Sequence, residues 1–365
     1  MGSVKDLRIL VPAYENSAGK FIFEFSDRYS IFDYGEMPDH IIGKGAALAV
    51  MAAFNFEELA KRGIETHYKG LVHDDKTVTF SDLKEGSDGA DAIAVEGAVV
   101  YHPIARPSID DEGDVKVEYD YSFFEQNRGK INNFLVPLEI IFRNGLPSGS
   151  SVFKRIDAAK RESDPKIREE KLRGIYQKLG VSSEPNPGDM LPRPVMTYTT
   201  KLEPGDRTLT DDEAYKISGL ASAEFGKVRA LAFDVNDFVT EQAEKTGLKP
   251  HWDGKVEMVY FDGLKIVDVV GTLDEDRFGV LVSKEILRQW YKQTQPEFVE
   301  ACDEWKKTGE GWQERLPVKP MNLPTEFSDL VSQMYMAATN KYTERRIFNV
   351  PGLEEVVELL ESRVL

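Results

Sequence analysis

A single cysteine, Cys302, stands in 365 residues. An intrachain disulfide is therefore excluded, and so is a thiolate metal cluster. Long apolar runs are also scarce. The longest, near Ala46 to Phe56, falls short of the about 20 residues that a membrane-spanning helix needs, and the first residues carry no apolar signal core. Positive charge is in deficit, with 46 basic residues against 63 acidic ones and a net charge of −17. That sign is wrong for a general nucleic-acid binder, so any site for anionic substrates has to be a local basic island. The expected compartment is the cytoplasm, with neither membrane nor nucleic acid as a partner.

What the chain does have is 41% hydrophobic and 30% charged residues, which describe a globular protein long enough for two domains with sizeable cores. The strongest local signal lies between Asp253 and Phe278. Two runs rich in Val, Ile, Tyr and Phe flank Asp262-Gly263, which predicts a hairpin with a two-residue loop. Pairing Phe261 with Leu264 then sets Glu257 directly opposite Asp268. Facing carboxylates repel, so a cation is expected between them. Lys255 and Asp253 share the face of Glu257, because strand side chains repeat with period two. Two carboxylates beside a lysine suit Mg²⁺, which takes one or two protein acids together with substrate phosphates. A solvated hairpin face is the other reading of this pattern.

A second concentration of chemistry follows the apolar run Phe134 to Phe142, which reads as a buried strand. The run ends in Arg143-Asn144-Gly145-Leu146-Pro147-Ser148-Gly149-Ser150-Ser151, with Lys154 and Arg155 close behind. Here is the local basic island: an arginine at a strand end, hydroxyls, and glycines whose backbone can approach an anion. Gly43-Lys44-Gly45 precedes a helix predicted to reach about Arg62. Such a start can hold a phosphate on backbone N–H groups, and an ordinary loop is the alternative. Elsewhere the patterns predict a small antiparallel sheet over 70–97, an exposed acidic excursion over 107–121, a solvated helix over 157–179 and a proline-rich linker over 184–194. Thr210 and Glu213 read as a capping box. Phe225, Val228, Leu231, Val235, Phe238, Val239 and Ala243 form one helical face, in a helix that Gly247 ends. Helices are also predicted over 284–307, 326–342 and 353–365.

Taken in order, a set of short motifs resembles the SAICAR synthetase family, in particular its archaeal-type members. The set is Asp27-Arg28-x-Ser30-x-Phe32-Asp33, Gly43-Lys44-Gly45, Pro137-x-Glu139 leading to Arg143-Asn144, and Ser148-Gly149-Ser150. It continues as Thr200-Lys201-x-Glu203 with Gly205-Asp206, then Asp253-x-Lys255-x-Glu257, and Asp268 with Asp274-x-x-Arg277-Phe278. The resemblance implies an α+β, ATP-grasp-like fold of antiparallel sheets and packed helices with a nucleotide cleft between domains. Its divisions are a nucleotide-covering domain over 1–103, an inserted hinge excursion over 104–133, a central domain over 134–282 and a helical region over 283–365. It also implies an ATP-dependent, Mg²⁺-dependent ligase of purine biosynthesis. Such an enzyme joins L-aspartate to the carboxylate of the imidazole nucleotide CAIR through an acyl phosphate, giving SAICAR, ADP and phosphate.

By the same resemblance, Glu257 and Asp268 hold the metal, and Lys201 and Lys255 lie near the nucleotide phosphates. Gly2 to Lys5 is the turn over the triphosphate. Arg143, Ser148, Gly149, Ser150 and Arg277 hold the anionic substrates, with Asp27, Ser30 and Lys44 as further substrate-binding positions. Asp253 orients a substrate group, and a homo-oligomer is the family expectation. Several positions depart from the pattern. Ser3 stands where a lysine is usual, Val269 replaces an acid, Arg207 replaces a common histidine, and Pro147 lengthens the serine loop. Two other readings stay open on the residues alone: a small-molecule kinase or other carboxylate–amine ligase on this scaffold, and a catalytically silent nucleotide binder.

Overall fold

The first hundred residues build one sheet around a buried helix. β1 (Lys5–Val11) and β2 (Gly19–Phe25) form a hairpin, α1 (Lys44–Lys61) follows, and β3 (Tyr68–His73), β4 (Lys76–Val78) and β5 (Ala92–Gly97) complete an antiparallel sheet of order β1-β2-β5-β3-β4. The computed structural model describes residues 4–74, 76–109, 115–279, 282–309 and 311–364. Helix α1 is apolar on nearly every side and is buried along most of its length, as an all-round apolar helix must be. It starts after Gly43, at φ 80°, and stops where Gly63 takes φ 79°, the left-handed exit expected of a glycine. The acidic excursion is a two-stranded ribbon of β6 (Ile104–Ile109) and β7 (Val115–Asp120), and α2 (Ser122–Gln126) brings the chain back.

The central sheet uses β8 (Phe134–Leu135), β9 (Leu138–Leu146), then α3 (Ser151–Lys160) and α4 (Pro165–Leu179), β10 (Asp189–Thr200), β11 (Thr208–Leu209), α5 (Asp211–Ile217), α6 (Ser222–Thr246), β12 (His251–Tyr260), β13 (Leu264–Val267) and β14 (Arg277–Phe278). Its main path is β11-β10-β9-β12-β13, with β8 and β14 also paired to β12. The single helix predicted over 157–179 is two. Asp164 caps the second, accepting from the Lys166 and Ile167 amides at 2.8 and 3.3 Å, with Pro165 in the first turn. The proline-rich linker is largely strand, because Pro192 and Pro194 fall in a register break of β10 between Met190 and Val195, where no ladder donor is needed. The Thr210–Glu213 capping box is present, and Gly247 ends α6 at φ 75°. Val228, Val235, Phe238, Val239 and Ala243 of α6 are buried, and the helix lies on β9 and β12.

The hairpin differs from the sequence reading by one residue. Tyr260 pairs with Leu264, so the loop is Phe261-Asp262-Gly263, and Glu257 faces Val267 instead of Asp268. Asn132 explains the change: its side chain accepts from the Asp262 amide at 3.0 Å and donates to the Asp262 carboxylate at 2.9 Å, drawing the turn out of the ladder. A one-residue slip would ordinarily send Asp268 to the other face. Asp268 instead lies just beyond β13 at φ 64°, which re-aims it.

The last eighty residues are helical: α7 (Glu285–Thr294), α8 (Pro296–Trp305), α9 (Trp312–Arg315), α10 (Thr325–Thr343) and α11 (Leu353–Val364). The predicted 284–307 helix breaks at Gln295-Pro296, since proline offers no amide and disfavours a helical residue before it. Helix α10 packs on α1, and the main hydrophobic core runs from Phe25 to Leu360, with a smaller one of Leu146, Val152, Ile156, Leu179 and Leu191 under α3 and α4. Among the described residues no helix is long and apolar enough to cross a membrane.

Candidate active site

Period-two geometry puts Glu139, Ile141 and Arg143 of β9 on one face of the central sheet, and Asp253, Lys255 and Glu257 on one face of β12. The register aligns Asp253 with Arg143 on one side and with Arg277 on the other, so Arg143, Asp253 and Arg277 form a row across three adjacent strands. Arg277 grips Asp253 in a bidentate fork, Nε to Oδ1 at 2.7 Å and Nη2 to Oδ2. Arg143 is only 8% exposed. It donates to Thr197 Oγ1 and Ser151 Oγ, both at 3.3 Å, and its Nε has no partner among the described residues. Burial draws Arg143 down to about 10, with Asp253 opposing and Arg155 and Arg277 adding to the fall.

Beside this row lies a lysine–carboxylate cluster. Lys201 bonds Glu257 at 2.6 Å and Glu139 at 3.1 Å; Lys255 bonds Glu139 at 2.8 Å and Glu275 at 3.1 Å and stands 3.6 Å from Glu257. Lys5, at the start of β1, reaches across to pair with Asp268, and its ammonium also lies over the Phe23 ring. The cation expected between Glu257 and Asp268 is therefore several lysines. Burial, and then the Asp268 charge, push Glu257 up to about 7 despite Lys201 and Lys255. Burial also opposes ionisation of Asp268, but Lys5, Lys201 and Lys255 outweigh it and hold that carboxyl below its usual range. Among the described residues no three of His, Cys, Asp or Glu gather as a metal cage.

The cluster opens into a cleft of about 700 Å³ whose walls come from all three parts of the chain. Asp33 and Phe32 stand on the N-terminal side; Arg143, Ser148 to Ser151, Asp253, Lys255 and Arg277 form the central wall; Lys284, Glu285, Arg288 and Lys292 line the side of α7. Ser150 caps α3, accepting from the Val152 amide at 3.4 Å, so that helix's N-terminus meets the cleft beside Arg143. At Gly149 a Cβ would lie 2.8 Å from Glu285 Oε1, the tip of a flexible side chain, so a larger residue there would displace that carboxylate. Glu285 is in turn bonded by Gln289 at 2.8 Å and Arg288 at 3.1 Å.

Three sequence-predicted substrate positions, Asp27, Ser30 and Lys44, do not line the cleft, and neither do Lys201, Glu257 and Asp268, which stand in the adjoining cluster. Lys44 is 0% exposed, paired with Asp274 at 2.7 Å and donating to the Arg28 carbonyl at 3.1 Å. Its phosphate-loop pattern serves instead to tie α1 to the Asp274 loop, where Tyr335 of α10 also donates to Asp274 at 2.7 Å. Asp27 accepts from the Gly45 amide at 3.0 Å and braces the start of α1. Ser30 does not line the cleft. Gly2 and Ser3 lie outside the described residues. Sequence reasoning missed Glu275 as the partner of Lys255, and missed Lys284, Arg288 and Lys292, whose spacing of four marks one helical face. Val269 is a core residue.

The SAICAR synthetase family profile matches residues 11–304. A provisionally named phosphoribosylaminoimidazole-succinocarboxamide synthase of Archaeoglobus fulgidus is 40% identical over 368 residues, covering 99% of either chain. A phosphoribosylaminoimidazole-succinocarboxamide synthase of Thermoplasma acidophilum is 27% identical, covering 93% of this chain and 97% of its own. The fold is shared with a solved SAICAR synthase of Saccharomyces cerevisiae in complex with SAICAR, at a TM-score of 0.58 and 19% identity, covering 95% of this chain and 94% of that one. A SAICAR synthetase solved with ADP overlays with a TM-score of 0.51 at 19% identity, covering 88% of this chain and 99% of that one.

Proposed function

The chain belongs to the SAICAR synthetase family, and from that premise we propose how its cleft carries out the ligation of purine biosynthesis that joins L-aspartate to the carboxylate of CAIR. The observation that carries the reading is the junction of two unlike surfaces. A lysine–carboxylate cluster suited to a metal–triphosphate adjoins an arginine- and serine-lined wall suited to a phosphorylated, carboxylated nucleotide, and Lys255 and Glu139 belong to both.

A carboxylate does not accept an amine directly, because its oxygen is a poor leaving group. The γ-phosphoryl of ATP therefore passes to a CAIR carboxylate oxygen, releasing ADP; the aspartate amine then attacks the acyl carbon, phosphate departs with the C–O bond, and the nitrogen gives up its proton. Lys201 and Lys255 are placed to meet the negative charge that spreads over the transferred group. Arg143, Arg277 and the serine loop orient the nucleotide, and Asp253 fixes the angle of Arg277. Burial keeps the Lys201 and Lys255 ammoniums costly, yet their acid partners outweigh this and hold both pKa values above the usual range, so these lysines act as fixed charges and not as bases.

Glu257 and Asp268 fit Mg²⁺. A carboxylate 4% exposed beside a second acid is costly to ionise without a cation, and two acids leave coordination sites free for phosphate oxygens. Bound there, Mg²⁺ neutralises phosphate charge and polarises the phosphoryl oxygens. The N-terminal segment 1–103 serves as the cover of the nucleotide, with Lys5 released from Asp268 toward the triphosphate.

The test is ADP release with ATP and Mg²⁺, adding CAIR and L-aspartate separately and together, on the wild type and on Asp268→Ala. Turnover that needs both substrates and collapses in the variant supports the ligase and its metal acids. Turnover with another phosphoryl acceptor in place of the pair indicates a kinase, and tight ATP binding without turnover a silent binder.

A further inference from the structure

Behind the cleft wall, α3, α4 and β10 enclose a second pocket of about 530 Å³, lined among others by Arg143, Arg155, Lys171, Lys178, Val195 and Thr197. Ile167, Ile175 and Leu179 give it apolar surface, and Glu170 is the acid in its lining. Arg155 makes no hydrogen bond or ion pair to any described residue, and its Nε is enclosed by protein without a partner; the same is true of the Nε of Arg143. Two guanidiniums close enough to act on one another, each with an enclosed and vacant donor, are expensive for a fold to keep. Of the acids nearby, Glu170 lines the pocket itself, while Asp253 and Glu162 are engaged elsewhere. Asp253, which acts on Arg143, is held in the Arg277 fork, and Glu162 takes Lys171 at 2.6 Å.

Arg143 is itself the partition between the two spaces. One of its terminal nitrogens bonds Thr197, which lines the rear pocket, and the other bonds Ser151, which lines the cleft. Planar guanidiniums match tetrahedral oxyanions in paired contacts, and two of them with Lys178 at hand balance a dianion better than a lone carboxylate. In a chain of net charge −17, such a cationic enclosure stands out.

We propose that this rear pocket is a phosphoryl-binding site in which Arg155 and the Nε edge of Arg143 hold a phosphate monoester dianion. The dianion belongs to a phosphorylated metabolite other than the nucleotide that the cleft takes. Because Arg143 faces both spaces, occupancy behind it fixes the orientation it presents to the cleft. The inference rests on the pocket's residues and not on the ligase reading.

The experiment titrates inorganic phosphate into the full chain by calorimetry, for wild type, Arg155→Gln and Arg155→Lys, with no turnover required. Saturable binding weakened about tenfold or more by Arg155→Gln and partly kept by Arg155→Lys supports the site, one charged contact being worth that much. Equal binding in the wild type and Arg155→Gln overturns it. Repeating the titration with ADP, Mg²⁺ and SAICAR filling the cleft locates the site: undiminished binding supports the rear pocket, and abolished binding overturns it, because the phosphate then sits in the cleft. A structural role for Arg155 would instead lower the melting temperature of the ligand-free Gln variant; the site predicts an unchanged or higher one, since a vacant like-charge contact is relieved.

Discussion

Glu257 is an acid of the lysine–carboxylate cluster whose protonation the fold changes. Folding raises its pKa from the usual 4.5 to about 7, so the folded chain binds that proton more tightly than the unfolded one. The stability gained is complete below about 4.5 and is lost as pH climbs through about 7. Melting temperatures of the wild type and Glu257→Gln between pH 4 and 8 should therefore diverge in that window, the wild type losing ground as pH rises; a constant difference would count against the shift. Asp268→Asn is expected to cut kcat by roughly 10²-fold or more, the scale of losing one preorganised charge contact at a reacting centre. Lys44 answers to stability instead. Lys44→Met leaves Asp274 buried and unpaired, which should cost about 3–5 kcal/mol in denaturant unfolding, and a second change, Asp274→Asn, should recover part of it.

At the scale of elements, the serine loop and α7 are coupled through the close approach of Gly149 to the Glu285 carboxylate. Gly149→Ala is expected to push the Glu285 carboxylate aside and raise KM for the imidazole nucleotide several-fold while the melting temperature changes little; an unaltered KM would uncouple the two. The hairpin, the α6 face and the Thr210 cap could be read from the sequence because they depend on neighbours within a few residues, whereas the apolar run 134–142 divides into β8 and β9, and Arg143 lies inside β9, which runs on to Leu146. What could not be read depends on distant partners. Asn132 resets the hairpin by one residue, a register break absorbs Pro192 and Pro194, and Glu275 reaches Lys255 from a loop twenty residues away. Lys44 had the right glycine neighbours for a phosphate loop, yet the acid waiting for it was Asp274, which no local pattern announces.

For the whole molecule, the cleft joins walls from the loop after β2, the central sheet and α7, over a main core with a smaller one under α3 and α4. Filling it should therefore stabilise the chain as a unit: a ligand at about a hundred times its Kd adds about 2.7 kcal/mol. Mg²⁺ with ATP should raise the melting temperature by several degrees in a single cooperative transition, and a split transition by calorimetry would show that the parts respond separately. The row of Arg143, Asp253 and Arg277 carries a different consequence. Its members sit on neighbouring strands, whose spacing is held at about 4.8 Å by the backbone ladder, whatever side chains are present. The sheet is thus a ruler, and the distance between its two arginines is a property of the peptide backbone that point mutation cannot retune. Selection or engineering for a longer or shorter substrate has to act through the loops and helices around the row, where length is free, and must leave the row as the fixed scale against which every new ligand is measured.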